Sequence, residues 1–156
     1  MNFIQENTTE VRFYTNLVDV AKWLDICLSD FDWHLSDMEG GWVGLSDPTW
    51  IAGLDLEAKL QERTYQFEWA VVSAFAKHST PRLDGTPFAD GNPEFWIDSP
   101  AKQMADSIFE IVCWDGSATL FIGLPDQLAA RLVKNAPGIK NLDEENKNRL
   151  TQFKLH

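Results

Sequence analysis

The sequence predicts a single α+β domain built on a mainly antiparallel sheet, and three observations carry that expectation. Two apolar, β-prone runs, residues 108–114 and 117–123, flank Asp115-Gly116, the turn chemistry of a tight hairpin. A third run, Thr64 to Phe75, alternates: Tyr65, Phe67, Trp69 and Val71 are expected on one face, Gln66 and Glu68 on the other. Three further segments place leucines at helical spacing. At 156 residues the chain is sized for one domain, 1–156, with a core of its own.

In chain order, Val11 to Tyr14 mixes aromatic with polar residues and is expected to form a short strand. Asn16 suits the cap of a helix whose Leu17, Val20, Ala21, Leu24 and Leu28 share one face. Phe31 to Leu35 is expected to be a second short strand. Asp47-Pro48 pairs a capping residue with proline at a first helical position, which predicts a helix from there to about Glu62 burying Ile51, Leu54 and Leu60. The strand from Thr64 follows. Residues 78–100 then hold Pro81, Pro87, Pro93 and Pro100 with Gly85 and Gly91, so no regular element is expected. Leu83, Phe88, Phe95, Trp96 and Ile97 give that segment apolar anchors, and it reads as a long ordered flap over the sheet. The hairpin, apolar on nearly every position, belongs at the centre of the sheet, covered on both faces. Pro125 opens a helix with Leu128, Leu132 and Val133 on its apolar stripe, stopped near Pro137-Gly138. Leu142 to Phe153 predicts a charged surface helix, and residues 154–156 have the look of a disordered or tag-derived end.

Charge narrows the functions. The net charge is −11, and it is unevenly spread. Residues 1–60 carry eleven acids and three bases; the other 96 residues carry thirteen and ten. Neutralising phosphates requires a lysine or arginine patch, and this sequence has none, so direct nucleic-acid binding and docking on anionic lipid are disfavoured. The start of the chain lacks a secretory pattern and no apolar run is long enough to span a bilayer, so a cytoplasmic protein is expected. Cys27 and Cys113, far apart and outside any CxxC spacing, read as buried thiols rather than a bridge or a redox pair.

Candidate chemistry is sparse. Asp30, Asp32 and His34 alternate and would share a strand face, a pattern able to hold a divalent ion; with no further ligand expected nearby, the solvated face of an edge strand is the better explanation, and no metal site is expected. His78 with Asp84, Asp90, Glu94 and Asp98 offers a base with carboxylates, yet turn-rich segments recruit aspartate for their own backbone. There is no Gly-x-Ser-x-Gly elbow and no glycine-rich phosphate cradle followed by lysine. No cofactor is indicated, and the expectation is a protein that is not an enzyme.

The remaining constellation runs from Asp30 to Trp50, twenty-one residues without lysine or arginine. Carboxylates there would steer a basic partner, and tryptophan offers a large anchor with few rotamers to freeze. The expected partner-binding residues are Asp30, Asp32, Trp33, Asp37, Glu39 and Trp42, on a small acidic inhibitor of a basic protein. An immunity protein neutralising a nuclease-type bacterial toxin fits best. A nucleic-acid mimic that inhibits a defence nuclease is one alternative. A hydrolase or small-ligand protein using residues 78–100 as a lid is another.

Overall fold

A computed structural model describes residues 1–41, 44–83 and 85–154. Among these described residues, seven strands form one sheet: β1 (Phe3–Glu6), β2 (Phe31–Gly40), β3 (Thr49–Ala52), β4 (Phe67–Ala76), β5 (Phe109–Trp114), β6 (Ala118–Ile122) and β7 (Ile139–Asn141). Their order is β3-β2-β4-β5-β6-β1-β7, and every neighbouring pair is antiparallel. Four helices accompany it: α1 (Leu17–Leu24), α2 (Gly53–Glu62), α3 (Asp126–Asn135) and α4 (Leu142–Lys154). The fold is α+β, as the sequence predicts.

The sheet is covered on both faces. On one, Leu17, Val20 and Leu24 of α1, Leu56 and Leu60 of α2, and Leu128 and Leu132 of α3 pack onto Trp33, Leu35, Val72, Phe109, Ile111 and Phe121. On the other, Ala89, Phe95 and Trp96 from the long segment after β4, with Leu142 of α4, cover Ile4, Val71, Val112, Leu120 and Ile122. The hairpin strands β5 and β6 are buried at every position except the half-buried Trp114, which is why they read as continuous apolar runs. Their turn places both Asp115 and Gly116 at positive φ, 52° and 60°.

Asn16 caps α1 as expected, its Oδ1 accepting from the Val18 and Asp19 amides. Asp25 then takes a left-handed φ of 52° and ends the helix before Leu28.

Four local expectations are corrected. The strand expected at Val11 to Tyr14 is absent, because the Tyr14 hydroxyl binds both the amide and the carbonyl of Thr8 and folds the segment on itself. The amino-terminal strand is instead Phe3–Glu6, paired on both sides by β6 and β7. Asp47-Pro48 does not start a helix: the bond is cis, Thr49–Ala52 forms β3, and α2 begins at Gly53. Only glycine fits there, since a Cβ would lie 2.1 Å from the Leu28 carbonyl oxygen. Leu54, expected in the core, is 70% exposed.

Finally, Tyr65 and Phe67 pack with the helices, whereas Trp69 and Val71 pack under the flap. The pairing of β2 with β4 shifts register between Ser36 and Glu39 and again between Glu39 and Gly40. A bulge of this kind reverses which face later residues take.

Candidate functional site

The acidic stretch maps onto one end of the sheet, where β2, the edge strand β3 and the start of α2 meet. The bulge in β2 explains much of its composition. Asp37 and Met38 fall in the gap of the β2–β4 register, so their amides need another acceptor. Asp47 supplies it, its two carboxylate oxygens accepting from the Asp37 amide at 3.0 Å and the Met38 amide at 2.8 Å. Asp37, at a φ of 53°, then aims its own carboxylate at the flap, accepting from the Ala89 amide at 2.8 Å and the Asp90 amide at 2.9 Å. Asp32 accepts from the His78 amide at 2.9 Å, where the chain leaves β4. Asp30 accepts weakly from the Cys27 amide at 3.4 Å. These carboxylates tie turns and flap together, and they also keep their charge at the surface: Asp30 and Asp47 are exposed, Asp32 and Asp37 half-buried. Glu39 is exposed on β2.

The tryptophans divide differently from expectation. Trp33 is fully buried, its ring edge-on to Phe31 and Phe109 and its indole N–H donating to the Leu28 carbonyl at 2.8 Å. It anchors the core and has no surface to offer a partner. Trp42 lies outside the described residues. Among the described residues, the tryptophan presented to solvent at this end is Trp50 on β3, 42% exposed, stacked at a tilt 4.9 Å from Phe75 and edge-on to His34 at 5.5 Å. Leu45, also partly exposed, lies in the segment leading into β3.

Beneath the flap, cross-strand pairing sets Trp50, His34, Ser73 and Glu110 side by side across β3, β2, β4 and β5. Ser73 Oγ donates to Glu110 at 3.2 Å, and the Met104 amide donates to the other carboxylate oxygen at 3.4 Å. Burial pushes the Glu110 carboxyl up to about 7, against the pull of those hydrogen bonds and of Lys102. Burial also lowers the His34 imidazole, with Asp47 acting in the opposite sense. His34 Nδ1 is enclosed and has no hydrogen-bond partner among the described residues. This polar row escaped sequence reasoning, because Ser73 and Glu110 each sit singly in an apolar strand and only the register brings them together.

The flap itself is pinned by Ser36, which donates to the Pro87 carbonyl at 2.7 Å, and by Asn146 of α4, whose amide donates to the Phe95 and Ile97 carbonyls. Asp84 lies outside the described residues. Among those described, no three of His, Cys, Asp or Glu gather closely enough to hold a metal ion, and no helix is long and apolar enough to cross a membrane. No protein-family model, curated protein or solved structure matches the chain.

Proposed function

We propose that this chain is a small acidic binding protein that occupies a basic protein partner, as an immunity protein covers the nucleic-acid-binding surface of a nuclease-type toxin. The observation that carries the reading is Trp50. A large ring stands 42% exposed on an edge strand, inside residues 23–58, which hold eight acids and no lysine or arginine. An exposed aromatic with surrounding carboxylates combines a desolvating anchor with long-range attraction for lysine and arginine. Such a protein competes with phosphates for the same cations and needs no catalytic group of its own. A cytoplasmic setting, where a freshly made toxin would otherwise act, suits this role.

Affinity capture from the source organism's lysate at low and at moderately high salt tests it, with wild type beside Trp50→Ala. A stoichiometric, strongly basic protein retained by wild type at the higher salt and lost with Trp50→Ala is the expected result. Contacts that vanish with salt for both proteins would reduce the acidic end to a solubility feature.

A further inference from the structure

The edge strand β3 has a partner, β2, on one side only; among the described residues nothing pairs with its outer side. An antiparallel strand bonds a neighbour through alternate residues, so half of the β3 amides and carbonyls point outward and unpaired. Natural edges are usually blunted by lysine, proline or an inward charge. β3 is short, four residues following Pro48, but Thr49, Trp50, Ile51 and Ala52 themselves carry none of these.

The surroundings select what would pair there. His34 lies opposite Trp50 and Asp32 opposite Ala52, so all four side chains occupy the flap face of the sheet. On that face an open cavity of about 400 Å³ adjoins the edge, with Asp32, Trp50, Ala52, Thr80 and Pro81 among its walls. Ala52 is small and exposed, so it leaves the Asp32 carboxylate reachable from outside the edge. The Asp32 carboxylate spends one oxygen on the His78 amide and retains the other.

We infer that the outer edge of β3 takes a basic, extended segment of the partner as an eighth strand of the seven-stranded sheet. A lysine or arginine opposite Ala52 spans the cavity to Asp32, and an apolar residue two positions along, on the same face, packs on Trp50. Strands lie roughly 4.8 Å apart, so this cation crosses about two strand spacings, a reach that suits a long flexible side chain laid over a small one. The inference rests on the acidic-surface reading and adds how the partner is gripped. A second copy of this chain is a poorer occupant: each copy carries −11, and the far edge, β7 with α4, mixes Lys140, Lys147 and Arg149 with Asp143, Glu144 and Glu145.

The test uses a short amidated peptide repeating Lys-Thr-Val-Thr, which sets lysine and valine two residues apart on one face, and its fully N-methylated counterpart, which keeps the charge and side chains but has no amide donors. Amide resonances of the labelled full chain are followed during titration with each. The unmodified peptide should shift the amides of Thr49–Ala52 and protect those on the outer side. N-methylation, which removes at least two hydrogen bonds, should weaken binding about tenfold or more. Ala52→Lys, at an exposed position, should weaken the unmodified peptide comparably, while Glu144→Gln, exposed on α4 at the far edge of the sheet, should change it much less. Equal binding of both peptides, shifts centred away from β3, or no binding by either would overturn strand addition. So would shifts of the β3 amides with protein concentration alone, which would mean that a second copy covers the edge. None of these outcomes decides the acidic-surface reading, which stands or falls on salt-resistant capture and its dependence on Trp50.

Discussion

Glu110 is a carboxyl held in an apolar strand, and its effect on stability has a definite sign. Its folded value is raised to about 7 from 4.5, so the folded state holds the proton more tightly than the unfolded chain. Its stabilising contribution is therefore complete below about pH 4.5 and is lost as pH rises through 7. Glu110→Gln, which stays neutral and keeps hydrogen-bonding capacity, should flatten that decline and gain roughly 1–3 kcal/mol over wild type at pH 8. Denaturant melts of both proteins at pH 5 and pH 8 read this directly; a constant difference between the two pH values would contradict it. His34 has the opposite sign. Its lowered value means stability is present above the unfolded value of 6.5 and is lost as pH falls.

The two thiols also separate at this scale: Cys27 is exposed, while Cys113 is fully enclosed and burial pushes its thiol strongly upward. A thiol reagent should modify one cysteine in the native protein and the second only on unfolding, counted by intact mass. Trp33 and Trp50 mark the limit of legibility at residue scale. Trp33 lies between Asp32 and His34 and Trp50 between Thr49 and Ile51, and neither pair of neighbours says which ring is covered. Only the position of β3 at the edge and of β2 inside it decides which ring is covered.

At the scale of elements, the hairpin and the helices α1 and α3 were legible because their determinants are local. Asp115-Gly116 fixes a turn, Asn16 fixes a cap, and leucine spacing fixes a buried face. The misread elements depend on distant partners. Asp47-Pro48 resembles a helix start until the β2 bulge, ten residues earlier, claims the Asp47 carboxylate for its stranded amides. The reversal of face between Phe67 and Trp69 likewise follows from the register of β2 against β4. The flap was legible as an ordered cover from its prolines and aromatics, but its anchoring acid was expected to serve a partner. Asp37→Ala removes the acceptor for two flap amides and leaves an alanine at positive φ, which should cost about 2–3 kcal/mol. Hydrogen exchange should rise at Ala89 and Asp90 before it rises in β5. Unchanged exchange at those amides would show that the flap is held by its apolar contacts alone.

At the scale of the whole molecule, charge and topology point the same way. The sheet's β3 end carries the uninterrupted acidic stretch, while β7 and α4 at the other end balance four bases against three acids, so the chain presents a directional field to anything approaching it. The asymmetry was legible from residue counts; that it falls on a free sheet edge beside an exposed ring was not. The most direct test is the association rate between this chain and its captured basic partner, measured by stopped flow across ionic strength for wild type, Glu39→Gln/Asp55→Asn and Trp50→Ala. Glu39 and Asp55 are exposed acids at this end. The association rate should fall steeply with salt in wild type and less steeply in the double variant. Trp50→Ala should associate at nearly the wild-type rate and dissociate at least tenfold faster. A rate insensitive to salt, with dissociation unchanged by Trp50→Ala, would contradict it.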